Sequence, residues 1–161
     1  MMGTQKKDYK KMKALVLNSP GTPENLTLAE LPKPSAKEGH ALIEVRAVGL
    51  NPVDYKTAAR GNDAWSWPHI LGLDVAGVIV DLDSESNGLK IGDRVCYHGN
   101  LTKPGGYAEY ATAPQHILAP IPDEVTFEDA AAIPCAVFTA WQILSRKIKP
   151  VEGQTILAHG G

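Results

Sequence analysis

The sequence has few cysteines, no long apolar run and no strong excess of charge, and each shortage excludes a class of protein. Cys96 and Cys135 are the two cysteines among 161 residues, so the chain cannot hold a disulfide framework. Its apolar runs fall short of the ~20 residues that a membrane-spanning helix requires, and no charged-then-apolar leader opens the chain. We therefore expect a cytoplasmic protein with no membrane partner.

Charge is unevenly distributed along the chain, although the formal net charge is only −2. Residues 1–13 carry five lysines and one aspartate, whereas the remaining residues carry 11 basic and 17 acidic side chains. An acidic body repels phosphate backbones, so we expect no nucleic-acid partner. The lysine cluster favours a flexible basic tail over residues 1–11, and a nucleic-acid-binding arm is the alternative.

Glycine and proline are abundant, with 15 and 12 residues, and they separate short apolar segments. This pattern is typical of strands joined by turns rather than of a helical bundle. The segments expected to form strands are 14–17, 26–31, 41–48, 75–80, 94–97, 107–111 and 116–119. Many short strands at this spacing predict a closed or nearly closed antiparallel barrel over residues 12–125.

The pattern changes to a helical one after residue 125. Thr126 is a candidate N-cap, Pro134 breaks or restarts the helix, and apolar residues recur at helical spacing over 137–148. Residues 126–149 are therefore expected to be connecting helices. A buried strand over 155–159 followed by two glycines is how a dinucleotide-binding unit begins. We expect residues 150–161 to open an incomplete nucleotide-binding domain, so that the chain is the first part of a longer protein.

Several motifs occur in a fixed order. They read GLNPVD at 49–54, LGLDVAG at 71–77, GDRV at 92–95, PGGYAEY at 104–110, FTAW at 138–141 and ILAHGG at 156–161. Over about residues 12–161, this ordered set resembles the medium-chain dehydrogenase/reductase superfamily, and specifically its zinc-independent, quinone-oxidoreductase-like branch.

The resemblance implies a mainly β fold with helices. It consists of a GroES-like, partly open β-barrel, then helices, then the first strand of an incomplete Rossmann domain. The activity implied is NAD(P)H-dependent hydride transfer to quinones, enones or related carbonyls. NADP is favoured over NAD as cofactor, the substrate is a small molecule, and the complete protein is expected to be a homodimer.

The resemblance also predicts that zinc is not bound. In zinc-dependent members a Cys occupies the position of Asn51 and a His that of Leu73, while Cys135 falls at the third ligand position. An amide and an aliphatic chain are not usable Zn²⁺ ligands, and one thiolate cannot build a three-ligand site. Cys96 stands alone where those members carry four closely spaced cysteines. We expect no metal, and we expect Cys135 to be a small buried hydrophobe.

Asn51 is the first candidate for catalysis. By the resemblance, the loop after strand 41–48 faces the cleft, and its Asn lies near the nicotinamide or the substrate carbonyl. An amide can donate a hydrogen bond to a carbonyl oxygen that gains negative charge as hydride arrives. An Asn-Pro turn without function is the alternative. Tyr55 can orient the substrate or anchor the barrel, and Asp54 is expected to fix the loop by accepting backbone hydrogen bonds.

Cofactor contacts are expected from Asn51, Thr139, His159, Gly160 and Gly161. By the resemblance, Thr139 approaches the nicotinamide ring, although its hydroxyl can instead bond the helix carbonyl four residues earlier. His159 adjoins the glycines of the phosphate turn and is a candidate for contact with the cofactor. A role in packing is the alternative.

Other aromatic and imidazole side chains give weaker indications. His69, His98 and His116 have no Cys or His partner at metal-ligand spacing, so we expect them at surface or strand-end positions. Trp65 and Trp67 lie in a turn-rich stretch. They are expected either to form part of a lid over the substrate or to pack in the core.

Two other functions stay open at this stage. A zinc-type alcohol dehydrogenase is disfavoured by Asn51 and Leu73. A non-catalytic GroES-like binding module is disfavoured by the expected strand at 155–159. If the enzyme interpretation holds, these residues alone should be inactive, because the helix that would bind the cofactor's pyrophosphate lies beyond residue 161.

Overall fold

Two antiparallel sheets dominate the fold, which we analysed as a computed structural model describing residues 11–83 and 88–159. The smaller sheet has the strand order β2-β1-β4 and the larger one the order β7-β3-β5-β6-β8. The strands are β1 (Lys11–Leu17), β2 (Thr27–Pro32), β3 (His40–Gly49), β4 (His69–Ile70), β5 (Asp74–Leu82), β6 (Arg94–His98), β7 (Tyr110–Pro114) and β8 (Ala119–Pro120). The sheets are not closed into a barrel, which agrees with the partly open form implied by the resemblance and not with full closure.

Three α-helices complete the fold of the described residues. They are α1 (Pro52–Arg60), α2 (Phe127–Ala132) and α3 (Pro134–Gln142), and α3 continues into a π-helical segment, Ile143–Ile148. Short 3₁₀ turns lie at Pro23–Asn25 and Gln115–Ile117. No helix within the described ranges is both long and apolar enough to cross a membrane.

The first five predicted strands are confirmed, and the last two are displaced. Over 107–111 the strand begins only at Tyr110, although Ala108 forms an isolated bridge with Ala14. Segment 116–119 was wrong as a strand, because a 3₁₀ turn occupies its first half and β8 is only two residues long. Proline limits the pairing of β8, since Pro120 has no N–H to donate to a neighbouring strand.

The main core lies against the larger sheet. Its fully buried members include Ile43, Val75, Ile79 and Val95, contributed by three adjacent strands. β3 and β5 approach each other so closely that a Cβ at Gly77 would lie 2.2 Å from the Glu44 carbonyl oxygen. This close approach explains why a residue without a Cβ stands at position 77.

Strand register brings three chain segments to one end of the larger sheet. Gly49, the last residue of β3, is the cross-strand partner of Asp74 at the start of β5. Asp74 in turn is opposite His98 at the end of β6. Helix α2 packs on the same region through Ala130 and Ala131, and α3 begins directly after it. The residues after β3, the start of β5, the end of β6 and the start of α3 therefore converge.

The predicted start of α2 is confirmed, whereas the strand expected over 155–159 does not form. The Thr126 hydroxyl accepts a hydrogen bond from the Asp129 N–H at 3.1 Å, which confirms the N-cap. The strand expected over 155–159 was wrong: these residues have no strand pairing and are exposed, with Leu157 85% accessible. A strand needs a neighbour for its backbone groups, and none of the described residues supplies one. The tail at 1–10 and both final glycines lie outside the described residues.

His69 is buried beside Trp65, contrary to the expected surface position. Its ring stacks on Trp65 with centroids 4.1 Å apart, and only 3% of the residue is exposed. The Trp65 indole donates to the Leu101 carbonyl at 2.7 Å, so Trp65 belongs to the core, whereas Trp67 is 40% exposed. Burial penalises the charged imidazole and lowers the pKa of His69 from 6.5 to about 4.

The free energy of unfolding should therefore decrease as the pH is lowered, and protonation of His69 should account for part of this decrease. The unfolded chain binds a proton at this side chain below pH 6.5, whereas the folded chain does so only near pH 4. The free energy of unfolding thus declines between these values, by up to about 3 kcal/mol, since one pKa unit corresponds to about 1.4 kcal/mol. His69→Phe should remove this part of the decline in urea titrations at pH 7, 6, 5 and 4. The exposed His116→Phe is the control, and an unchanged pH slope in His69→Phe would contradict the assignment.

Candidate functional site

The candidate site is organised around the buried carboxylate of Asp74, which is 1% exposed. One carboxylate oxygen, Oδ2, accepts hydrogen bonds from the Asn51 side-chain amide and from the Cys135 backbone N–H, both at 3.0 Å. The other oxygen, Oδ1, lies 2.5 Å from Nδ1 of His98. One side chain thus connects a loop, a strand end and the start of a helix.

Local structure explains how Asn51 reaches this carboxylate. The chain leaves β3 at Gly49, and Asn51 stands immediately before α1, whose first residue is Pro52. The Asn51 N–H donates to the Asp54 carboxylate at 2.8 Å, which fixes the turn and confirms the role expected for Asp54. Because the backbone is held by Asp54, the amide of Asn51 is free to turn towards Asp74.

The electrostatics of the site favour a charged Asp74–His98 pair. Burial alone would raise the pKa of Asp74, but hydrogen bonds from His98, Asn51 and the Cys135 N–H outweigh it, and the pKa is lowered. The hydrogen bond to Asp74 raises the pKa of His98, and the charges of Asp74 and Asp54 act in the same direction. Asp54 itself has a raised pKa, chiefly because of burial.

Cys135 lies beside this pair. Its sulfur, an Asp74 oxygen and a His98 ring nitrogen are all within 4.8 Å of one another. These are atom types that a divalent metal accepts. Both Asp74 oxygens already accept hydrogen bonds, and one of them engages the His98 ring. We therefore describe the group as a hydrogen-bonded network in which Cys135 is half-buried rather than fully buried.

The structure brings some of the sequence candidates together and separates others. Asn51 belongs to the network, and Thr139 lies on α3 one turn after Cys135, with an exposed side chain. The Thr139 hydroxyl has no hydrogen-bond partner among the residues described, so the bond to the helix carbonyl four residues earlier is not formed. Tyr55 lies outside the network, 51% exposed on α1, with the Lys56 ammonium 5.9 Å from its ring centroid. His159 is exposed and also lies outside the network, while Gly160 and Gly161 fall outside the described residues.

Large apolar side chains are exposed on α3 and just before α1. They are Leu50, Val137, Phe138 and Trp141, which are between 53% and 82% accessible. The site therefore offers polar groups at the Asp74 end and flat apolar groups along α3, a combination suited to a planar ligand that carries an oxygen.

Sequence reasoning missed the pairing of Asp74 with His98. A search for metal-ligand spacing found no partner for His98, because the partner lies 24 positions away along the chain. The usable signal was the strand pattern: if Gly77 faces Val95 in an antiparallel pair, Asp74 must face His98. The register depends on the turn joining β5 to β6, and the strand prediction alone did not determine it.

Asp74→Asn should lower the pKa of His98 towards or below its ordinary value of 6.5, because the hydrogen-bonded carboxylate is the largest cause of the upward shift. The measurement is an NMR titration of the His98 imidazole protons. Asp81→Asn, on the same strand, is the matched control and should leave the titration unchanged. A His98 titration that is identical in Asp74→Asn and the unmodified chain would show that the carboxylate does not govern this imidazole.

Comparison with known proteins identifies the family to which this chain belongs. Residues 37–123 match the model of the alcohol dehydrogenase GroES-like domain. The quinone oxidoreductase of Lama guanicoe is 37% identical over 151 residues, which are 92% of this chain and 45% of that protein. A trans-enoyl reductase of Aspergillus flavipes is 34% identical over 162 residues, covering 91% and 46% respectively.

Solved structures agree with the sequence comparison. The quinone oxidoreductase from Coxiella burnetii superposes with a TM-score of 0.79 and 34% identity over 85% of this chain and 45% of that one. The chain thus spans a little less than half the length of these relatives. The motifs, the fold and the relatives agree, and the chain belongs to the medium-chain dehydrogenase/reductase superfamily, in its quinone-oxidoreductase-like branch.

Proposed function

We propose that this chain is the substrate-side part of an NAD(P)H-dependent oxidoreductase that reduces quinones, enones or related carbonyl compounds. The observation that carries the proposal is the anchored amide of Asn51. One amide hydrogen is held by Asp74 at 3.0 Å, which orients the group and leaves the second N–H to donate to an acceptor oxygen. A preorganised donor of this kind stabilises the negative charge that develops on a carbonyl during reduction.

The residues present suit the nicotinamide end of a dinucleotide. Thr139 offers an exposed hydroxyl on α3, and Phe138 and Trp141 are exposed on other faces of the same helix. A bound reduced nicotinamide would supply the hydride. Thr139 would contact the nicotinamide, while Asn51 would hold the acceptor oxygen. NADP is preferred over NAD on the family resemblance alone.

The relatives' names support the substrate class. The relatives from Lama guanicoe and Coxiella burnetii are named quinone oxidoreductases, and the one from Aspergillus flavipes a trans-enoyl reductase. Quinones and enones share a carbonyl conjugated to a carbon–carbon double bond, and both are flat. One hydrogen-bond donor to the carbonyl oxygen can therefore serve either acceptor. For this reason we propose the class of conjugated carbonyl compounds rather than a single compound.

The enzyme we propose works without zinc. Leu73, at one of the zinc-ligand positions, is 6% exposed and packs in the interior, where its side chain offers no ligand atom. Asn51, at the second position, donates one amide N–H to Asp74, and an amide is not a usable Zn²⁺ ligand. The chemistry at the acceptor oxygen is then carried by hydrogen bonding instead of by a Lewis-acidic ion.

The purified protein should accordingly hold no stoichiometric zinc. Elemental analysis after dialysis against a weak chelator is the measurement, and well under one zinc per chain is expected. The informative alternative is about one tightly bound zinc that disappears in Cys135→Ser. That result would mean that the Asp74, His98 and Cys135 group coordinates a metal, and it would favour a zinc-type alcohol dehydrogenase.

Replacing Asn51 should impair turnover more than binding. In the full-length protein, Asn51→Ala should lower kcat with an enone or quinone by about 10²-fold or more, as expected for loss of one oxyanion donor. The dissociation constant of the reduced cofactor should change much less. Asn18→Ala, an exposed amide that bonds Thr27 far from the site, is the control. Unchanged turnover in Asn51→Ala would leave Asn51 with only a turn-forming role.

A further inference from the structure

We infer that His98 is the acid of this site, donating a ring proton to the acceptor oxygen that Asn51 polarises. The inference rests on the proposed function and deepens it, because it assigns the second half of the reduction to a named residue. It starts from the geometry of one pair, in which a buried carboxylate holds an imidazole that reaches solvent.

The pair is asymmetric in its exposure. The His98 side chain is 44% exposed, whereas the Asp74 side chain is 2% exposed. Nδ1 of His98 faces Asp74, so Nε2, on the far edge of the ring, points away from the carboxylate. No other residue in the described ranges hydrogen-bonds to this ring. Asp74 therefore fixes the orientation of the imidazole and keeps a proton on Nδ1, and Nε2 remains available for chemistry.

His98 and Asn51 are positioned by the same group. Each donates to a different oxygen of the Asp74 carboxylate, so both donors stand at the same end of the larger sheet. The Cys135 N–H, at the start of α3, fixes that carboxylate from a third direction. A substrate oxygen bound at this end of the sheet would lie near an amide donor and an imidazole donor, a pairing suited to carbonyl reduction.

A single proton donor, together with one hydride, accounts for all the atoms and electrons that the reduction adds. Reduction of a conjugated carbonyl by two electrons consumes a hydride from the reduced nicotinamide and one proton. In an enone, a carbon–hydrogen bond forms at the β-carbon and the double bond shifts to the enol position, while the Nε2–H bond of His98 breaks and an O–H bond forms on the carbonyl oxygen. In a quinone, His98 supplies the proton for one of the two O–H bonds of the hydroquinone. His98 is left as a neutral imidazole that still donates Nδ1–H to Asp74. The half-exposed ring then takes a proton from water, which restores the imidazolium.

The carboxylates that face His98 raise its pKa above the ordinary value, although burial acts in the opposite direction. Asp74 on β5 and Asp54 on α1 are the carboxylates near it, and both raise the pKa of His98. The Cys135 thiol on α3 and the Cys96 thiol on β6 are further titratable groups near the pair. Activity that depends on the acid should therefore decline as pH rises through the raised pKa of His98.

The test uses His98→Asn in the full-length protein. An asparagine amide can replace the Nδ1–H donor to Asp74, so the network survives, but it cannot transfer a proton. With an enone, whose reduction leaves a basic enolate, kcat should fall by about 10²-fold or more. With an electron-poor quinone, whose reduced oxygen is far less basic, the loss should be several-fold smaller. The alkaline decline of kcat should disappear in the variant, and His116→Asn should behave like the unmodified protein.

The outcomes separate the two proposals. If the unmodified protein reduces neither acceptor with either nicotinamide cofactor, the proposed function fails and the role of His98 falls with it. If it reduces them but His98→Asn keeps full turnover and the alkaline decline, only the acid role is wrong. An equal loss with both acceptors, with the pH profile retained, would show that His98 merely positions Asp74. Circular dichroism and melting of each variant confirm that the fold is intact.

Discussion

A single buried carboxylate holds the candidate site together. Asp74 has almost no contact with solvent, and it is stable as an anion only because donors surround it. Those donors come from three parts of the chain that are distant in sequence: the turn before α1, the end of β6 and the first turn of α3. Removing any one of them would leave charge or polarity unpaired inside the protein, so the position of each donor depends on the others.

Two of the positions at which the family resemblance would put zinc ligands donate hydrogen bonds in this network. Asn51 and Cys135 stand at two of these positions, and each donates to Asp74, one from its side chain and one from its backbone N–H. The segments that carry Asn51 and Cys135 thus converge on the Asp74 carboxylate, and hydrogen bonds hold the turn before α1 against the start of α3.

Much of the fold was predictable from sequence, and the site only in part. Alternating apolar residues between glycine and proline turns predicted β1, β2, β3, β5 and β6, and Thr126 predicted the start of α2. The strand over 155–159 failed because a strand is defined by its neighbours, which an apolar run cannot reveal. Asn51 was found through its motif, whereas His98 was missed because its partner depends on strand register. Burial of His69 likewise followed from stacking on Trp65, a tertiary contact without a local signal.

The distribution of the three tryptophans gives the molecule separate optical reporters. Trp65 is buried at 7% exposure with its indole bonded to a carbonyl, Trp67 is 40% exposed and Trp141 is 66% exposed. Emission from Trp65 reports on the interior, whereas emission from Trp141 responds to whatever covers the apolar side of α3. Collisional quenching by iodide or acrylamide should reach Trp141 first and Trp65 last. A single fluorescence experiment can therefore distinguish coverage of the candidate site from loss of the fold.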